Sequence, residues 1–300
     1  MGGKVLVLGA TGLFGSQAAR AFAAAGWQVA RFRRGGDMAA AAQGMDVIVN
    51  GLSPPGYHDW DRLIPAITDQ VIAAGLASGA TVLVPGNVYV YGVQPGPWGA
   101  DTPQVPVARK GRIRVEMEAS YRAASARGLR VILLRGGDFV DPEAAGSLWR
   151  RVILPGVARG RVVTMGQAGV RRAHAYLPDM ARAAVGLAAL RASLPGFVDV
   201  PFAGFTLSSN DIAQAMERLT GRRMRVVGFQ WGLMTALSPV WEMARELREM
   251  RYLYNTDHAL DSGPLQRWLP EFRATPLDDV LRAHLMPQGQ GAVMSTQTGR

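Results

Sequence analysis

The chain has 300 residues, 48% of them apolar and 19% charged, with a formal net charge of +10, four His and no Cys. These proportions describe an ordinary globular protein, one large domain or a core domain with a smaller appendage. The lack of Cys excludes disulfides, thiol catalysis and Cys-ligated metals, and no apolar run approaches the ~18 residues that a membrane span needs.

No metal site is expected with so few His. The positive charge favours anionic partners in general. Its basic residues are spread over 31–34, 109–114, 150–161, 171–172 and 222–225 rather than gathered into one stripe, and no nucleic-acid module is recognisable. The expected partner is a small-molecule substrate, with no nucleic acid and no membrane. The opening "MGGKVLVLGATG" has a Lys and a short apolar run, but Gly interrupts it and no cleavage site follows, so a cytoplasmic location is expected. Oligomeric state is left open, and a homodimer is compatible.

Residues 4–8 form a continuous apolar run ending in Gly, which predicts a buried parallel strand. An Ala-rich helix over 14–25 and a second strand over 27–32 follow. "MDVIVNGL" (45–52) predicts a third strand, 61–77 a long amphipathic helix, 81–92 another strand, 107–126 a helix and 129–139 one more strand. Strand and helix alternate, so an α/β, doubly wound parallel Rossmann sheet with helices on both faces is expected over residues 1–142. Beyond Pro142 short strands ("RVVTMG", "GFVDVPF", "MRVVGF") mix with helices at 178–193, 208–220 and 239–253. Residues 143–286 are therefore expected to form mainly a smaller α/β substrate-binding part, with elements returning to the core. The polar, Gly-rich stretch 287–300 predicts a mobile tail.

"GATGLFG" lies between the first strand and the first helix. Gly9 suits a tight turn, Gly12 lets backbone approach a diphosphate, and Gly15 lets helix and strand pack closely. With Thr11, Leu13 and Phe14 between them, these residues present a helix N-terminus to phosphate. The second strand ends "RFRRGG", with Arg31, Arg33 and Arg34 and no acid before Asp37. A carboxylate there would accept the ribose 2′-hydroxyl of NAD, whereas a guanidinium can fork a 2′-phosphate. NADP is expected over NAD; simple surface solubility is the other reading of these arginines.

The glycine loop, "VYG" (90–92), "RGGDFVDP" and "HAYLPDMARAA" (174–184) together resemble the extended short-chain dehydrogenase/reductases, more narrowly the NAD(P)-dependent epimerase/dehydratase family. The resemblance covers roughly 3–190 and, more weakly, "FRATPLDDVLRAHL". It implies a Ser or Thr four residues before the Tyr of "VYG" and a Tyr-x-x-x-Lys pair at the head of the next helix. Here Asn87, Lys110 and Arg114 stand at those three positions, so the active site is atypical.

Within "VPVARKGRIRVEME" (105–118) the stripe Ile113, Met117, Tyr121 and Ala124 predicts the sheet-facing side of a helix. At 100° per residue Lys110 and Arg114 fall on that side, toward the cofactor cleft, and Arg109, Arg112 and Glu116 fall outward. Lys110 is a candidate acid and Arg114 a candidate ribose ligand; binding of a phosphate or carboxylate by both is the alternative. Tyr89 and Tyr91, two apart at the strand's end and so expected on one face, are candidate phenols. Asp138, Arg171, Arg172 and His174 are candidate substrate contacts by the resemblance. Asp179 is expected to cap a helix starting at Met180, and 53–60, with His58 and Asp59, to lie over the cofactor. The reading is an NADP-binding oxidoreductase or epimerase/dehydratase-like enzyme for a small carbonyl or sugar-like substrate. The alternative is a non-catalytic NADP(H)-binding sensor or scaffold.

Overall fold

A computed structural model describes residues 2–286; the stretch 287–300, expected as a tail, lies outside the described residues. Six strands form one parallel sheet: β1 (Lys4–Leu8), β2 (Gln28–Arg31), β3 (Val47–Asn50), β4 (Thr81–Gly86), β5 (Val131–Arg135) and, near the other end of the chain, β9 (Phe197–Pro201). Their spatial order is β2-β1-β3-β4-β5-β9. The order reverses between β1 and β3, and that reversal opens a crevice at the strands' carboxyl ends. This is the expected doubly wound α/β fold.

Alternation decides which helices cover which face. Val5, Val7, Val49 and Leu134 point to one side, against Phe14, Ala18 and Phe22 of α1 (Leu13–Ala24) and Met180, Ala184 and Leu187 of α5 (Leu177–Ala189). Leu6, Leu8, Ile48 and Val82 point to the other, against Ile64 and Val71 of α3 (Trp60–Ser78) and Ile113, Met117 and Tyr121 of α4 (Arg109–Ser125). The short α2 (Met38–Ala42), capped by Asp37, packs beside α3. Each fully buried Val, Leu or Ile contributes about 1.5–3 kcal/mol, so apolar strands buried on both faces dominate the stability of this core.

The smaller layer starts where β5 ends. β6 (Asp138–Val140) pairs with β8 (Arg172–Tyr176), which pairs antiparallel with β10 (Phe205–Leu207). β7 (Arg161–Thr164) pairs with β11 (Arg225–Gly228). Helices α6 (Ser209–Thr220) and α10 (Leu277–Leu285) close this second core with Trp149, Ile153 and Met216. A hairpin of short helices, α7 (Trp231–Leu237) and α8 (Glu242–Glu249), leads into a 3-10 turn, Met250–Asn255, and α9 (Gly263–Trp268) follows.

Three expected elements divide. The run 81–92 stops as a strand at Gly86, because the Asn87 Oδ1 accepts the Tyr89 N–H at 3.0 Å and turns the chain into a 3-10 segment, Tyr89–Tyr91. The run 129–139 breaks at Gly136–Gly137 into β5 and β6, and a Cβ on Gly137 would overlap the Ala173 backbone that β6 crosses. The helix over 239–253 is α8 followed by the 3-10 turn.

Candidate functional site

The glycine loop joins β1 to α1 at the sheet reversal. Gly9 has φ of 69°, and its Cβ would come 2.7 Å from the Gly51 oxygen; a Cβ on Gly15 would overlap the Gly9 carbonyl. Both glycines are therefore required by internal packing, together with Gly51, which the sequence reading did not single out. Gly12 differs. A Cβ there would meet nothing nearer than the Gly9 oxygen at 3.3 Å. Its open side faces outward at the helix N-terminus, where the N–H groups of Leu13, Phe14 and Gly15 have no intrahelical acceptor. The Phe14 side chain is spoken for: it is buried in the core and stacks on Phe139, so only its backbone can reach a ligand. Thr11 is exposed beside the loop. Arg31, Arg33 and Arg34 are all exposed and make no ion pair among the described residues. An open helix N-terminus and unpaired guanidiniums at the end of the neighbouring strand are groups able to accept phosphate.

The opposite wall is α4. Its apolar stripe faces the sheet as the spacing predicts, and Lys110 and Arg114 share that side. Lys110, however, does not open onto the cleft. Its side chain is 0% exposed, and its ammonium is clasped by Glu246 and Glu249 of α8, while also donating to the Glu246 carbonyl at 3.2 Å. The expectation of a Lys110 acid beside the cofactor is corrected here: its donors are occupied by carboxylates from more than a hundred residues away. Burial opposes the charge of Glu249, but the hydrogen bond and charge of Lys110 outweigh it and hold that carboxyl below its ordinary range. Arg109, expected to be solvated, instead bridges Asp61 and Glu246. Arg112 is exposed as expected.

Arg114 is the exception on this wall. Its guanidinium lies over the Trp60 ring at 4.6 Å and touches the Met117 sulfur, its Nε has no hydrogen-bond partner, and no carboxylate pairs with it. Burial pushes its pKa down, with nearby phenols and Glu118 working the other way. A buried cation without an anion is costly unless a ligand supplies one.

Next to Arg114 stand two phenols. The Tyr57 and Tyr89 hydroxyls are 3.2 Å apart, and burial raises both pKa values, that of Tyr89 further. Tyr57 was missed by the sequence reading, which noticed only its neighbours. It sits in the left-handed region (φ 63°), as does Asp59 (φ 48°), and such strain of about 1–3 kcal/mol per residue persists only where contacts enforce it. Here Trp60 packs edge-on against Tyr57 at 5.1 Å, Lys110 lies over its ring at 5.0 Å, and Asp59 binds Arg62. The loop 53–60 does lie against this wall, and His58 reaches across it to Glu242 of α8 at 3.0 Å.

Tyr91 does not share a face with Tyr89. The 3-10 turn swings it away, so that its hydroxyl donates to the Gly99 carbonyl at 2.8 Å and its ring packs on Trp98, with Arg135 over it. Asn87 spends its side-chain oxygen on the Tyr89 N–H and its carbonyl on Arg135. Arg135 itself is buried between Glu118 and Asp199, at 2.8 and 2.5 Å, a triad that locks α4, β5 and β9 beneath the site. Sequence reasoning missed it because an Arg closing an apolar strand carries no local signal.

Of the candidate substrate contacts, three meet. Arg172 pairs with Asp138 and lies over the Tyr254 ring, and the His174 Nδ1 is 4.0 Å from Asp138 while accepting from the Trp149 indole at 3.3 Å. Burial first, and Arg172 second, push His174 down to about 3, so it is a neutral structural ring near pH 7. Arg171 is exposed and turned away, donating to the Thr206 carbonyl and lying 4.0 Å from Asp211. Alternation along β8 separates it from Arg172. Asp179 is not a cap but the third residue of α5, and it ties down Thr275 and Arg182. Among the described residues no three His, Asp or Glu side chains group to hold a metal.

No family model and no curated protein matches the chain. Solved structures do. MoeE5 in complex with UDP-glucose and NAD superposes with a TM-score of 0.73 at 19% identity, over 94% of this chain and 97% of that one. UDP-glucuronic acid 4-epimerase from Bacillus cereus, with UDP-glucuronic acid and NAD, gives 0.74 at 14% over 94% and 97%. UDP-glucose 4-epimerase from Brucella ovis, with NAD, gives 0.63 at 21% over 75% and 85%. At these identities the likeness is one of fold, and the chain has the Rossmann-type fold of these NAD-bound proteins over nearly its whole described length.

Proposed function

We propose that the protein is an NADP(H)-binding enzyme of the extended short-chain dehydrogenase/reductase type, acting on a small carbonyl or sugar-like substrate through an atypical active site. The observation that carries this is the outward-open Gly12 at the N-terminus of α1, beside Arg31, Arg33 and Arg34 with no anion of their own. When bound, the nicotinamide supplies hydride exchange. Leu13, Phe14 and Gly15 would hold the diphosphate by backbone N–H, the arginines the 2′-phosphate, and Arg114 the anionic or hydroxyl-bearing part nearest the strand ends.

The proton donor in this reading is the Tyr89–Tyr57 pair. Two half-buried neutral phenols in contact can pass one proton, Tyr89 donating outward, Tyr57 donating to Tyr89 and water returning a proton to Tyr57, whereas Lys110 is clasped by two carboxylates. The Asp138–Arg172 pair and Tyr254 would line the substrate side. The sugar nucleotides bound by MoeE5 and by the Bacillus cereus epimerase make uridine diphosphate sugars the first substrates to screen.

The non-catalytic reading, an NADP(H) sensor or scaffold, is favoured by one observation: the helix position of the family's Tyr is filled by a sequestered lysine. Titration calorimetry with NADPH and NADH tests binding, and equal affinity would refute the 2′-phosphate site. Single-turnover oxidation of bound NADPH, followed at the nicotinamide absorbance with a panel of UDP-4-keto sugars and simple carbonyls, separates enzyme from sensor. Tyr89→Phe should lower that rate about a hundredfold with NADPH binding unchanged. No turnover with any of the panel, in the face of tight NADPH binding, would favour the sensor.

A further inference from the structure

Helix α8 is sorted by charge. Its carboxylates, Glu242, Glu246 and Glu249, are spaced on one face: Glu246 and Glu249 turn inward to Lys110 and Arg109, and Glu242, half-exposed, pairs with the exposed His58. Its guanidiniums turn the other way. Arg245 and Arg248 fold back onto Ser238 in the turn before α8, at 3.2 and 2.6 Å, and Arg251 lies over the Trp231 ring of α7. All three arginines are exposed. They ring a protruding turn whose apolar side chains are the least covered of this hairpin: Val240 is 84% exposed, Leu233 55% and Trp241 45%.

We propose that the α7–α8 turn is a docking site for a membrane surface carrying anionic headgroups. An apolar turn with Val240 and Trp241 this exposed and arginines beside it enters a fluid anionic interface readily. Trp favours that interface, and arginines behind the tip lie at the depth of phosphate headgroups. Charge complementarity sets the lipid class: Arg245, Arg248 and Arg251 surround the tip, whereas Glu246 and Glu249 are spent on Lys110 and Arg109, and the half-exposed Glu242 is paired with His58. This is surface attachment; among the described residues no helix is long and apolar enough to cross a membrane. The inner face of the same helix fastens onto the head of α4 through Lys110 and Arg109, so docking would hold that end of α4 next to the lipid surface.

The test is co-sedimentation of the full-length protein with phosphatidylcholine vesicles made with and without phosphatidylglycerol. Binding should appear with the anionic lipid and fall as salt rises. Arg245→Gln with Arg248→Gln should weaken it about twentyfold, and Val240→Asp should abolish it, each with circular dichroism and NADPH affinity as in the native chain. Equal partition to both vesicle types, or unchanged binding by the variants, would overturn the proposal. A native dimer by light scattering that Val240→Asp converts to monomer, without vesicle binding, would overturn it in favour of a contact between copies of this chain.

Discussion

On the β2 side of the cleft the arginines are exposed and unpaired, whereas on the α4 side Lys110 and Arg135 are buried, Arg109 and Arg114 half-buried, and all but Arg114 are held by carboxylates. Water solvates Arg31, Arg33 and Arg34, so they need no partner and stay free for a ligand. Lys110 and Arg135 have left water and require carboxylates, which α8, α4 and β9 provide. The difference separates cations left free in water from cations that build the fold. Arg114, half-buried and unpaired, belongs by position to the second group and by its missing anion to the first.

The sharpest way to break this contrast is on the buried side. Arg135→Ala leaves Glu118 and Asp199 buried without a cation, and should cost about 3–5 kcal/mol in urea unfolding; a loss below 1 kcal/mol would mean that water reaches the triad. Lys110→Met should cost less, about 1–3 kcal/mol, because Glu246 and Glu249 are partly exposed and Arg109 remains beside them. Amide exchange should then quicken across α8 specifically, and uniform exchange along the chain would show that Lys110 is not what fastens that helix.

The exposed side should answer in binding rather than in folding. Replacing Arg33 and Arg34 together by Ala should weaken NADPH by about 1–3 kcal/mol, as for charge-assisted hydrogen bonds, with the melting temperature of the unliganded protein unchanged. Calorimetry checks it, and a large drop in melting temperature would place these residues among the structural cations.

Acid should act through the groups whose protonation the fold shifts, His174 and Glu249 among them. The unfolded chain protonates His174 near 6.5, while the native ring stays neutral down to about 3. Unfolded protein thus binds the extra proton, and stability should fall as pH drops below about 6.5. The depressed Glu249 acts in the same direction: its contribution is fully present above its ordinary value near 4.5 and is lost as pH falls through its lower native value. Melting curves between pH 7.5 and 4 measure the sum, and a flat profile would refute both the burial of His174 and the pairing of Glu249 with Lys110. The smallest effect belongs to Arg112→Ala, exposed and on the outer face of α4, which should stay within about 0.5 kcal/mol.

Legibility followed the range of the interactions. The strands β1, β3 and β5, the glycine loop and the sheet-facing stripe of α4 could be read from residues within a few positions of one another, because a buried parallel strand, a tight turn and a helix face each impose their own short period. The same local reading set the phase of Lys110 and Arg114 correctly on one side of α4. It could not say what awaited them there. Glu249 lies 139 residues from Lys110, Asp199 lies 64 from Arg135, and Tyr57 meets Tyr89 only because the 53–60 loop folds back over α4. It also placed Tyr91 with Tyr89, when one Asn87 hydrogen bond turns the chain and parts them. By itself the sequence determined a doubly wound fold with a glycine turn at its reversal. Only the tertiary structure decided which charges remained free, since a buried charge takes whatever partner the fold brings near, and sequence distance does not record that.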